Sequence, residues 1–418
     1  MERFARKFSA ACLVGTGAVL WLLWHQQAPA QQFGRAMEAF RSRDWERVQY
    51  GLLGLKTASG YESRAILFSA ALHLQRKEFG PALEELELAA AHPDVRAAAL
   101  TLAGEALYGQ GKLRPAEKTF RRALEVNADE IEAHRWLAIA YYDIGLMTAA
   151  LGHLQRVADL DPHDPRPHRI MGVIHMDHGN PVAAVDDFEE SVRRDPAQPD
   201  RDDILLELGQ CQRQLHRYDD ARRTLSMIEE SADSLALLAD IDYHQNRAAE
   251  AGQHAREALK LAADQRLALL VLGKIAFDER RFADAVETLT RAARAAPKDY
   301  DIHYALATSL RSVGRNEEAE EELHAAEELH ELGRRAEDLF QQATADPEDA
   351  GVRYQLGMVS EQLGLDQLAE TWFKAAALLA PNDQRARARL AELKQRGGQW
   401  NGPLRRGVAR SGMSLIEP

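Results

Sequence analysis

The chain has only two cysteines in 418 residues, Cys12 and Cys211, which excludes a disulfide framework and a four-cysteine zinc site. Cys12 lies in an apolar run and Cys211 in an amphipathic stretch, so both read as small packing residues. Aromatic residues are scarce at 7%, while Ala, Leu, Glu and Arg are abundant, a composition that favours helix. Positive charge is also short, with 52 Lys and Arg against 65 Asp and Glu, a net −13. Residues 1–30 and 397–418 carry +2 each, so the body between them carries −17. Such a body repels a phosphate backbone, and nucleic acid is not expected as a partner. No GxSxG elbow, GxxxxGK[ST] loop, HExxH or CxxC occurs, which removes the common hydrolase, nucleotide and metal motifs. What is present is 45% hydrophobic and 28% charged sequence, enough to fold.

The one long uncharged apolar run is Phe8 to Trp24, 17 residues preceded by Arg3, Arg6 and Lys7. It is near the short limit for spanning a bilayer and longer than a usual signal-peptide core. Trp21 and Trp24 suit the interface at its far end. Residues 1–30 therefore read as a signal anchor, with cleavage after Ala28-Pro29-Ala30 as the alternative. The flanking positive charges keep the N-terminus cytoplasmic in either case and send the remainder across. The expectation is an inner-membrane, single-pass protein with an extracytoplasmic, periplasmic body, or a secreted one after cleavage near Ala30.

That body is periodic. Stretches 137–162, 171–196 and 272–297 align with one another, and their closing prolines Pro162, Pro196 and Pro297 stand 34 and 101 residues apart. Windows of 34 run unbroken from 29 to 198, a shortened unit occupies 202–231, windows resume over 232–333, and a last unit covers 350–383. Ten units result. One site in each is always small: Ala36, Ala70, Gly104, Ala138, Gly172, Gly209, Ala239, Gly273, Ala307 and Gly357. A second site is Ala in nine units of ten, from Ala82 to Ala369, with Val48 the exception. Four residues later comes a larger anchor, such as Phe120, Leu154, Phe188 or Phe373. Amphipathicity alone does not demand small residues in register; close helix crossing does.

On these residues the chain resembles the tetratricopeptide repeat family over 29–383. The resemblance implies an all-α fold: an α-solenoid of about ten helix pairs in a right-handed superhelix, with first helices lining a concave face. It fits worst at 29–62, where Arg35 replaces a leucine, and at 202–231, where the linker is short. Residues 384–396, with Ala388, Leu390, Ala391 and Leu393 on one side, look like a closing helix. The solenoid is thus expected over 31–396 and a flexible tail over 397–418. Between Asn316 and Glu331 stand eight Glu and no Lys or Arg. Leu329, Leu332, Ala336, Leu339 and Ala343 would form a short seam if one helix of about 30 residues ran through Gly333. An extended second helix with a merely solvated acidic face is the preferred reading.

Candidate chemistry is sparse. His163, His168, His175 and His178 are spaced for zinc, but His175 occupies the slot of Tyr141 one unit earlier, which favours packing. Neither a metal nor another cofactor is expected, nor is catalysis. The remaining candidates are on the first-helix face, where Tyr108, Arg135, Tyr142 and Arg169 come from three consecutive units. Together they would give aromatic faces flanked by guanidinium groups, suited to a partner carboxylate; the alternative is packing, with the arginines paired to Asp143 or Asp177. The sequence is read as a non-enzymatic, membrane-anchored scaffold, held through residues 8–24 and binding a protein or peptide partner. The alternative is an assembly factor or regulatory subunit of an envelope or polysaccharide biogenesis complex.

Overall fold

The structure, a computed structural model, describes residues 31–395 apart from residues 32, 37, 40–43 and 56–59. The expected anchor at 8–24, its alternative cleavage point and the tail at 397–418 lie outside the described residues. Among the described residues no helix is long and apolar enough to cross a membrane.

Among the described residues the regular elements are all helices, arranged as a tetratricopeptide-type α-solenoid. They fall into two compact units that divide between Ala140 and Tyr141. Within each, helices of mostly 11–14 residues form successive hairpins, for example Arg166–Asp177 with Pro181–Arg194. The shortened unit is seen as Arg201–Gln214 followed by Tyr218–Leu225, a second helix of only 8 residues.

Size matching fixes the register. A Cβ added to Gly104 would lie 2.4 Å from the Phe120 ring, and one on Gly172 2.6 Å from Phe188. The same construction meets Leu225 from Gly209 at 2.9 Å, Leu289 from Gly273 at 2.5 Å and Phe373 from Gly357 at 2.6 Å. Each pair is separated by sixteen residues, so the first helix approaches its own partner closely at one repeated point. Alanine never stands at that offset from phenylalanine: Ala70 precedes Leu86, Ala239 precedes Ala255 and Ala307 precedes Leu323. All the anchors from Leu52 to Phe373 are buried except Leu323, which is half-buried on the long acidic helix.

The hairpin turns repeat as well. Each described one contains a residue in the left-handed region, at Lys77, Gly111, Gly145, Gly179, His216, Asn246, Arg280, Gly314 and Gly364. Around Gly145 the amide of Leu146 donates to the Tyr141 carbonyl at 2.8 Å, closing the helix end in a Schellman arrangement. Arg281 does the same to Ala276 at 2.8 Å, although residue 280 is an arginine.

Two expectations need correction. Asn316–Ala345 is a single helix of 30 residues, continuous through Gly333. The acidic face is solvated as preferred, with Glu317, Glu318, Glu320, Glu321, Glu327, Glu328 and Glu331 exposed, but beyond Gly333 Leu339 and Ala343 are buried, so that part packs as a seam. The closing helix Gln384–Gln395 is present, but it buries Ala386 and Leu393 with Leu390 between them, while Ala388 and Ala391 face solvent. Helical spacing supplies the reason: Ala386, Leu390 and Leu393 recur at intervals of 4 and 3 and share one face, and Arg389 is paired with Glu361 beside it.

Candidate interaction surface

In the unit ending at Ala140, Tyr108 is half-buried with its ring 5.3 Å from Trp136, which stacks on the anchor Phe120 at 6.1 Å. Arg135 is buried and donates to Glu132 one turn before it. In the unit beginning at Tyr141, Tyr142 is buried and its hydroxyl donates to Asp177 on the next first helix at 3.5 Å. Burial, with the charges of Asp177 and Asp143, pushes the Tyr142 phenol far above its ordinary value, so it stays a donor.

Arg169 is only 4% exposed. Its guanidinium pairs with Asp200 at 2.8 Å and approaches Glu207 at 3.9 Å. Neither Asp143 nor Asp177, the partners offered from sequence, is the one it pairs with. The partners come from the next first helix, Arg201–Gln214, and its lead-in, which the insertion at 199–201 puts out of phase with the period. The positive patch expected from the two arginines is therefore not what unit two presents. Burial pushes the Glu207 carboxyl up to about 7 despite the charge of Arg169, with Asp203, Asp177 and Asp200 adding to the rise. Burial likewise raises Asp177 to about 6, moderated by the Tyr142 hydroxyl. Asp177 is nonetheless open to solvent, so it sits in a recess with protein close around it. One arginine paired with Asp200 and Glu207, with the Asp177 charge also acting on Glu207, leaves excess negative charge.

The tyrosine–aspartate link recurs. Tyr243 donates to Asp278 at 2.8 Å, again 35 residues on, and the Lys274 ammonium lies 5.9 Å from the Tyr243 ring. Between these links Arg213 pairs with Asp240 at 2.8 Å. Sequence reading singled out Tyr142 and named Asp177 only as an arginine partner, although Asp177 and Asp278 hold the same place in their units.

The histidines serve structure. His168 and His175 each bond one oxygen of Asp187, at 2.9 and 2.8 Å. Burial pushes the Asp187 carboxyl up, yet these two bonds and the histidine charges outweigh it and hold it below its ordinary range. His163 is exposed and His178 is turned to an aromatic contact instead. Among the described residues no group of three or more His, Cys, Asp or Glu is placed to hold a metal ion. Cys211 is buried, and burial with the Glu207 charge pushes its thiol up to about 12, away from nucleophilic use.

Family models described as tetratricopeptide repeat match residues 101–165, 175–241, 270–332 and 350–383. No curated protein matches the chain. Similar solved structures include a tetratricopeptide repeat protein from Parabacteroides merdae, 18% identical over 60% of this chain and 100% of that one, with a TM-score of 0.38. Pseudomonas aeruginosa pilF is 18% identical over 48% of this chain and 92% of its own, TM-score 0.39. The structure of Naa15/Naa10 bound to HypK-THB is 12% identical over 84% of this chain and 68% of that one, TM-score 0.43.

Proposed function

The chain is a tetratricopeptide repeat protein, and on that premise we propose that it is a non-enzymatic scaffold whose first-helix surface holds a protein or peptide segment. The observation that carries this is the crossing register. Gly104, Gly172, Gly209, Gly273 and Gly357 commit one side of each first helix to its own partner helix, which leaves the other side for a ligand. Repeat stacks of this kind provide extended surfaces and little else. Tyr108, in the first unit, is one contact position. In the second unit the contacts are Tyr142 with Asp177 and Glu207, while Arg169, held in its ion pair with Asp200, shapes the surface from below; in the first unit Arg135 is held in its own pair with Glu132.

The excess carboxylate beside Tyr142 favours a segment bearing lysine or arginine there. Two carboxyls raised by burial, Glu207 also by the charges of Asp203, Asp177 and Asp200, gain when a cation arrives, and tyrosine adds contact area at low entropy cost. We place the scaffold at a membrane through residues 8–24, with the repeats on the far side. Asp177→Lys tests the binding reading, since Asp177 is exposed and its replacement spares the core. Loss of partner capture with an unchanged melting temperature is expected; unchanged capture contradicts it.

A further inference from the structure

Solenoid helices touch their sequence neighbours, so a contact between residues more than 160 positions apart is unusual within the unit beginning at Tyr141. One exists. The His178 ring stacks on Phe340 with centroids 4.6 Å apart and planes 16° from parallel. Trp372 completes the group, 6.2 Å from His178 and 6.3 Å from Phe340. Gly145, in the hairpin turn one repeat before His178, lies against the same tryptophan; an added Cβ would stand 2.9 Å from the ring. Trp372 is 2% exposed.

Phe340 belongs to the part of the Asn316–Ala345 helix that exceeds a 34-residue repeat. Leu339 and Ala343 anchor that part, and Arg353 braces it by donating to the Ala343 and Pro347 carbonyls while its guanidinium lies 5.5 Å from the Trp372 ring. The insertion therefore has a physical consequence: it delivers an aromatic ring to the far repeats.

We propose that His178, Phe340 and Trp372 form a reversible clasp that holds the early and late repeats of this unit together and opens when His178 takes a proton. Opening would admit a segment to the surface between them, a consequence that rests on the scaffold reading above. His178 Nε2 is buried with no hydrogen-bond partner. Burial and the neighbouring His175 push this imidazole down to about 4. An open clasp would return it towards ~6.5, so acidification across that interval favours opening, by roughly thirtyfold at pH 5. The ionisable groups around the clasp are few. His175 and Asp177 lie on its own helix, Asp143 precedes the Gly145 turn, Glu337 stands one turn before Phe340, and Arg353 covers the tryptophan. One turn either side of Trp372 come only Leu368, Ala369, Ala375 and Ala376.

Hydrogen exchange of the free full-length chain tests the clasp without needing a partner, so its result is independent of the scaffold reading. Phe340→Ala at pH 7.5 should raise exchange at 142–147 and 366–379 together, by about tenfold for the loss of an aromatic pair, leaving 232–261 unchanged. His178→Phe keeps three rings without the titrating nitrogen and should stay protected at pH 5, where the unmodified protein opens. Unchanged exchange in Phe340→Ala overturns the clasp, as does a rise in all three segments, which would make the rings ordinary core. Equal acid opening of His178→Phe and the unmodified protein overturns the role of His178.

Discussion

Gly172 and Phe188 occupy one volume: a single added carbon on the glycine would sit 2.6 Å from the phenylalanine ring. Gly172→Ala should therefore lower stability by about 1–3 kcal/mol through overpacking, even though alanine is the better helix former. Much of that loss should return in Gly172→Ala with Phe188→Leu, because this is the pairing already used by Ala70 and Leu86. Thermal melts of the four proteins check it; additive effects would mean the two residues do not meet.

The reverse is expected at Gly333. It is exposed in mid-helix with nothing within 4 Å of an added Cβ. Gly333→Ala should stabilise by up to ~1 kcal/mol. A lower melting temperature would mean that the long helix breaks there.

Arg280 holds φ of 62° at a turn position that five other repeats give to glycine. Arg280→Gly should gain about 1 kcal/mol by relieving left-handed strain, read as a rise in denaturant midpoint at constant slope.

Glu207 links stability to pH. Its carboxyl is raised to about 7 in the folded chain by burial, against ~4.3 unfolded. The folded form thus binds the proton more tightly, so this group's stabilisation is complete at low pH and is lost as pH rises through 7. Glu207→Gln should melt higher than the unmodified protein at pH 8, and the gap should close towards pH 5. A gap independent of pH would contradict the burial of that charge.

Topology is separable from the fold. A phosphatase active only after export, fused after Pro418, should be active because Arg3, Arg6 and Lys7 favour the cytoplasmic side. An inactive fusion together with a fluorescent cytoplasmic reporter at the same point would reverse the orientation.

The helix pairs were legible because a crossing demands small residues at a fixed place, and that demand leaves a 34-residue mark on the sequence. Arg169 was not legible: Asp200 lies in an insertion and Glu207 follows it, and the period says nothing of which carboxylate a guanidinium reaches. Asp187 escaped notice because it bonds His168 and His175 from the opposing helix. The His178–Phe340 contact is further still from legibility, since periodicity reports neighbours and not ends. The long helix was misjudged at Gly333, whose propensity cost is small beside the burial of Leu339 and Ala343.

The most direct measurement is site-specific photocrosslinking in intact cells. One photoreactive residue would replace Asp177, exposed on the first-helix surface, and another Val182, 53% exposed on the following helix. Position 177 should yield a discrete crosslinked protein, and the captured segment should carry lysine or arginine, while position 182 yields none. Capture of the same protein at 182 alone, or equally at both positions, would contradict binding on the first-helix surface.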